Sequence, residues 1–239
     1  MKAYINWSGG KDSALALYHI LKDKAYSVEK LLTNVSSTCQ RISMHGVRKE
    51  LLEQQAAAIG ISLQALVLQD QPSMEEYEKH MMTTLQQLHQ EGFTHSVFGD
   101  IFLEDLKIYR ETQLARVGRT AVFPLWKRNT KELMNEFIDL GFKAITVCVN
   151  EKYLDKSFCG RMIDKDFIRD LPDKVDVCGE NGEYHTFVYD GPIFKMPVPF
   201  KKGEIVSKKY AAPRQENDNC FLQESVKDYK FYFCDLLQQ

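Results

Sequence analysis

What the sequence lacks narrows it first. Its six cysteines (Cys39, Cys148, Cys159, Cys178, Cys220 and Cys234) contain no C-x-x-C pair, and no histidine stands at zinc-finger spacing from them, which argues against a structural zinc module. Scattered cysteines without an export signal fit a reduced, cytoplasmic protein: Lys2 is followed by only a few apolar residues before Ser8-Gly9-Gly10. Apolar runs reach only about half a dozen residues, too short for a bilayer, so no membrane association is expected. There is no excess of either charge: Lys and Arg number 31, Asp and Glu 33, and the net charge is −2. A nucleic-acid partner is therefore not expected. Repeats and low-complexity tracts are absent. What is present is a 239-residue chain, 44% apolar and 27% charged, close to globular averages and long enough to bury a core.

The first half alternates strand-like and helix-like segments. Ala3 to Trp7, Val28 to Val35, Leu63 to Leu68 and His95 to Phe98 read as strands. Between them run amphipathic stretches: Ala14 to Leu21, Val47 to Ile59 stopped by Gly60, and Met74, Tyr77, Met81, Leu85 and Leu88 stopped by Gly92. Ser73 with Glu76 reads as a capping box for the third of these. A further stretch spans Glu104 to about Val117, before Gly118. Such alternation implies parallel strands joined by right-handed crossovers, an open α/β sheet.

After Phe123-Pro124-Leu125-Trp126 the pattern changes. Thr130 is expected to cap a helix through Leu140, with Ala144 to Val149 as the next strand and one polar helix from about Leu154 to Leu171. From Gly179 onward the chain reads as β-rich, with alternation over Tyr184 to Tyr189, the Asp190-Gly191-Pro192 turn, and strands at Ile205 to Tyr210 and Tyr229 to Cys234. The expected division is residues 1–125, an α/β domain, and residues 126–239, a smaller α+β domain.

The most informative segment is Ser8-Gly9-Gly10-Lys11-Asp12-Ser13, between the first strand and the first helix. Ligands of open parallel sheets bind at that carboxyl edge. Paired glycines let backbone amides form a concave nest, the helix N-terminus adds its dipole, Lys11 adds a mobile positive charge, and Ser8 and Ser13 add hydroxyls. This is a phosphate site by its chemistry. The spacing is neither Walker A nor G-x-G-x-x-G; the competing reading is a glycine turn with a solvated lysine.

Gly99-Asp100 closes the fourth strand at the same edge. Glycine there would leave room for a ligand, and Asp100 would bind Mg²⁺ or a substrate amine, or else cap the next helix. Glu180 and Glu183 flank Gly182, either as groups that orient or deprotonate an amine or as a solvated acidic hairpin. His45, in the second strand-to-helix connection, reaches a nucleotide or sits on the surface, and His185 points into the cleft or away from it. Cys39 shares the connection with His45, but no second cysteine lies near it to support sulfur transfer. Lys201, Lys202, Lys208 and Lys209 read as a solvated basic stretch or a docking patch for an acidic partner.

The six-residue loop resembles the PP-loop of ATP pyrophosphatases, which cleave ATP between the α and β phosphates. Phe98-Gly99-Asp100-Ile101-Phe102-Leu103-Glu104-Asp105, Tyr109-Arg110-Glu111, Phe123-Pro124-Leu125-Trp126, Leu154-Asp155, Gly160-Arg161 and the run from Cys178 to Pro192 resemble the diphthine–ammonia ligase group of that superfamily. The matches extend from residue 4 to about 194. Resemblance implies a HUP-type, Rossmann-like open parallel sheet followed by a smaller domain, in a single-core member of prokaryotic type. It implies ATP with Mg²⁺, and release of AMP and pyrophosphate as ammonia amidates a carboxylate-bearing acceptor. It further implies nucleotide contacts from Ser8, Gly9, Gly10, Lys11, Asp12, Ser13, His45, Gly99 and Asp100, metal binding by Asp100, and catalytic roles for Lys11, Asp12, Glu180 and Glu183. A homodimer is left open. The alternative, since fold does not dictate function, is an adenine-nucleotide-binding regulatory module with little turnover.

Overall fold

The structure is a computed structural model and describes residues 1–42, 45–69, 74–210 and 229–239. The expected Ser73 cap, Met44 and Cys220 lie outside the described residues, as do the side chains of Met74 and Tyr77.

Five strands, β1 (Lys2–Asn6), β2 (Ser27–Ser36), β3 (Ser62–Leu68), β4 (His95–Val97) and β5 (Thr120–Val122), form one sheet in the order β3-β2-β1-β4-β5. Every pairing is parallel. The crossovers carry α1 (Lys11–Lys22), α2 (Lys49–Ile59), α3 (Met74–Gln90) and α4 (Glu104–Ala115). The α/β reading therefore holds. β5 is an addition to it: three half-exposed residues are too few to show a period. Chain order reverses between β1 and β4, which places the loops after those two strands side by side, at the point where open sheets bind ligands.

The second half forms an antiparallel sheet in the order β7-β6-β9-β8, from β6 (Lys143–Asn150), β7 (Tyr184–Asp190), β8 (Phe200–Tyr210) and β9 (Tyr229–Gln238). Two local expectations are corrected here. The cap of α5 (Thr130–Asp139) is Asn129, whose Oδ1 accepts from the Lys131 and Glu132 amides at 2.9 and 3.2 Å; the Thr130 hydroxyl instead donates to the Asp176 carboxylate at 2.8 Å. The stretch 154–171 is not one helix but a 3-10 turn, Lys156–Phe158, and the short α6, Lys165–Asp170. Gly160 adopts φ +79° between them. There the backbone is recruited by β6 instead: Thr146 N–H donates to the Arg161 carbonyl at 2.8 Å, and Ile163 N–H donates to that of Ala144 at 2.8 Å.

One apolar core joins the halves. It takes Ala14, Leu17, Leu51 and Leu52 from α1 and α2, and Val147, Val149, Phe187 and Val188 from the second sheet. A smaller cluster (Tyr4, Leu32, Leu85, Leu88, Phe93, Phe98 and Leu114) fills the space between the parallel sheet and α3 and α4. β7 is thereby pressed against the start of α1: Val188 N–H donates to the Gly9 carbonyl at 2.9 Å.

Candidate active site

The first loop is held on all sides. Gly9 has φ +75°, and a Cβ there would stand 2.7 Å from Gln55 Oε1. Gln55 is fully buried; its amide donates to the Gly9 and Val188 carbonyls at 3.0 and 2.6 Å and its Oε1 accepts from the Trp7 indole at 2.9 Å. The Ser13 hydroxyl donates to the Gly10 carbonyl at 2.9 Å and lies 3.1 Å from Ser8 Oγ, which accepts from the Gly10 amide at 3.3 Å. Lys11 opens α1, its amide donating to Thr186 Oγ1 on β7 at 3.0 Å. The N-terminal dipole of a 12-residue helix thus points at the sheet edge.

Lys11 is not the mobile, exposed lysine expected of the loop. It is 5% exposed, and its Nζ lies 2.7 Å from both Asp12 carboxylate oxygens. Burial works against its charge, but Asp12, with Cys178 and Glu180, outweighs burial and raises its pKa above the ordinary lysine value.

Gly99 has a second use besides the one expected. It lines the cavity, and a Cβ there would lie 2.9 Å from the Asp12 carbonyl carbon and 3.0 Å from Ser13 N, so the absent side chain also admits the first turn of α1. Asp100 follows, with Oδ1 accepting from Arg110 at 3.1 Å and Oδ2 buried without a hydrogen-bond partner among the described residues. Burial raises its pKa, Arg110 opposes that, and Asp12 adds to it. The Arg110 guanidinium lies 4.3 Å from the Phe98 ring centroid.

The two glutamates divide. Glu180 lines the same cavity as Lys11, Asp12 and Asp100, with Oε2 accepting from the Ile101 amide at 3.4 Å. Burial, then the Asp12 charge, pushes its carboxyl up to about 7. Glu183 does not line the cavity. It is 1% exposed and folded onto its own loop, accepting from the Asp176 amide at 3.0 Å and from the Asn181 amide and side chain at 2.8 and 3.0 Å.

His45 and His185 stack, ring centroids 4.5 Å apart and planes 27° apart, and both line the cavity. Of the first loop, Ser8, Lys11, Asp12 and Ser13 line it, whereas the buried Gly9 and Gly10 stand behind them against Gln55 and Thr186.

The cavity encloses about 840 Å³, room for a ligand of nucleotide size. Polar and charged side chains share its lining with apolar ones, among them Leu32, Met81, Leu85 and Leu114. Four side chains that line it hold a buried polar atom without a hydrogen-bond partner among the described residues: Thr33 Oγ1, Asp100 Oδ2, Arg110 Nε and His185 Nε2. Unmet groups are costly in a finished core and concentrate where a ligand completes them. Among the described residues no cluster of three or more His, Cys, Asp or Glu could hold a metal. The unpartnered Asp100 oxygen nevertheless fits Mg²⁺, which takes one or two carboxylates and completes its shell from phosphates and water.

Residue-by-residue reading missed Gln55, Thr186 and Arg110. Gln55 carried a signal, standing at i+4 between Leu51 and Ile59 on a stripe that is otherwise apolar. The positions of Thr186 and Arg110 depend on tertiary packing.

Fold and site together define an α/β protein of the Rossmann-like type with a glycine-lysine loop at its switch point and a cavity lined by ionisable groups from both sheets' loops. Family profiles described as the diphthamide synthase N-terminal domain and C-terminal domain match residues 1–121 and 129–212. The chain belongs to the diphthamide synthase family. It is similar to diphthine–ammonia ligase of Bos taurus, 32% identical over 114 residues, 46% of this chain and 43% of the relative. Similarity to the Danio rerio ligase is 28% over 145 residues, 57% and 54% of the two chains. With the Schizosaccharomyces pombe ligase it is 31% over 110 residues, 42% and 18%. The match spans about half the length of the vertebrate relatives. Among the described residues no helix is long and apolar enough to cross a membrane.

Proposed function

We propose that the protein is an ATP-dependent amide-forming ligase that joins ammonia to a carboxylate of diphthine, releasing AMP and pyrophosphate. The observation that carries this reading is the convergence of Lys11, Asp12, Asp100 and Glu180, from three distant segments, on one cavity at the carboxyl edge of the parallel sheet. The relatives' names supply the acceptor and the nitrogen source.

In this reading residues 1–125 supply most of the ATP contacts and residues 126–239 the acceptor side, in a cytoplasmic protein whose oligomeric state is open. The rim of the first loop, Ser8, Lys11, Asp12 and Ser13, with the dipole of α1, receives the phosphate chain; Gly9, Gly10 and Gly99 shape it by letting backbones approach. Asp100 would hold Mg²⁺, which spreads the charge of the phosphates. The acceptor carboxylate attacks the α phosphate and expels pyrophosphate, giving an acyl-adenylate. Glu180, with its carboxyl near neutrality, takes the proton that ammonia sheds as it displaces AMP. Glu183 positions Glu180 by fixing the loop between Asp176 and Tyr184.

The test is product analysis with ATP, Mg²⁺, ammonium and a diphthine-bearing substrate. AMP, pyrophosphate and the amide are expected. ADP as the main product would overturn the reading, and ATP bound but unconverted would favour a regulatory nucleotide-binding module.

A further inference from the structure

The loop expected to meet the phosphates offers less free positive charge than its sequence suggests. Lys11 is buried and held by both oxygens of Asp12. Asp100 and Glu180 put two carboxyl groups into the same cavity. Arg110 lines the cavity too but is paired with Asp100, so a triphosphate entering here gains from a further cation beside the loop.

The structure has a convertible one beside the loop. His45 Cε1 and the Thr186 carbonyl would each lie 3.1 Å from a Cβ at Gly10, so the His45–His185 stack adjoins the first loop directly. His45 Nδ1 lies 3.4 Å from the Thr186 carbonyl, which can only accept, so this nitrogen carries the hydrogen and the neutral ring leaves Nε2 bare. His185 Nε2 is buried without a partner among the described residues.

Resting on the nucleotide reading above, we propose that His45 and His185 form a second anion-binding element of the nucleotide site, taking up one proton per pair as the pyrophosphate end of ATP arrives and donating a charge-assisted hydrogen bond to it. The stack sets the stoichiometry, because two imidazolium rings 4.5 Å apart would repel each other. Without ligand the pair is neutral: burial, then Lys11, moves His45 down to about 4, and burial, His45 and Lys11 lower His185 as well. The titratable groups bearing on the pair are Lys11 on α1, which acts on both rings, and His45, which acts on His185, with Cys148 opposite His185 in the β6–β7 register. A polyanion reverses that balance, and the proton comes from solvent.

Calorimetry of the full chain near pH 7 with inorganic pyrophosphate, AMP and Mg-ATP, each in two buffers of different ionisation enthalpy, tests this. Wild type is expected to take up protons with pyrophosphate and ATP. In His185→Asn and His45→Asn the extra uptake should vanish and pyrophosphate affinity fall about tenfold, the loss of one charge-assisted hydrogen bond. AMP affinity should stay within about twofold. His185→Gln, whose longer side chain carries its amide donor out to the Nε2 position but cannot titrate, should recover part of the affinity and none of the uptake. Variants that bind pyrophosphate with unchanged affinity and uptake would overturn the proposal. So would variants that lose AMP and pyrophosphate equally, since the pair would then only support the loop. Wild type that binds none of the three would overturn the nucleotide reading itself, and this proposal with it.

Discussion

The loop of residues 8–13 and the loop of residues 176–184 face the same cavity and are built alike, each tied down by hydrogen bonds between its side chains and its own backbone. They differ in how their charges are settled. In the first, Lys11 and Asp12 satisfy each other at 2.7 Å. In the second, Glu183 is used up by the backbone, while Glu180 is held where burial and neighbouring carboxylates oppose its charge. A rigid, charge-paired loop suits holding a ligand; a carboxyl poised near neutrality suits moving a proton.

The sharpest way to break this contrast is Glu180→Gln. Amide formation should fall about 10²- to 10⁴-fold while ATP affinity by calorimetry changes little. Equal loss of both would move Glu180 to the holding side. Next comes Lys11→Ala. Because the lysine is buried and paired, the variant should lose ATP binding and also about 1–2 kcal/mol of stability, discounted for the partial exposure of Asp12. An unchanged melting temperature would mean that the ion pair adds nothing to the fold. Glu183→Gln should cost about 1–3 kcal/mol, since an amide cannot accept all three hydrogen bonds. It should therefore lower the denaturation midpoint more than Glu180→Gln does; the reverse ranking would exchange the roles of the two residues.

The smallest effect is on pH dependence. Glu180 binds its proton more tightly in the folded chain, up to about 7, than when unfolded. Between the two pKa values the folded state holds the extra proton, so this group's contribution to stability is present at low pH and lost as pH rises towards neutrality. Melting curves from pH 5 to 8 should show that decline in wild type and a flatter profile in Glu180→Gln. Parallel profiles would mean that Glu180 is not buried with its charge opposed.

Much of the architecture is legible in the amino-acid sequence. Strands and helices of the first half announced themselves through periodicity and through Gly60, Gly92 and Gly118, which stop helices at positive φ. Short elements escaped: β5 has three residues, and the stretch 154–171 reads as a helix until Gly160 and the hydrogen bonds to β6 divide it. Asn129 and Thr130 are both good caps, and only the bond from Thr130 to Asp176 shows why Asn129 takes the role.

The amino-acid sequence by itself determined which groups are available and where they lie along the chain: a glycine-lysine-aspartate loop after the first strand, Gly99-Asp100 after the fourth, and a glutamate-bearing turn near residue 180. These are local properties, set by residue chemistry and by the strand and helix around each segment. Tertiary structure decided which of them meet and in what charge state. Folding buried Lys11 against Asp12, gave Gly99 the backbone of α1 as a neighbour, turned Glu183 onto its own loop, left Glu180 facing the cavity and stacked His45 on His185. Burial and charge proximity are sums over groups distant in the chain, so they exist only once the chain has folded.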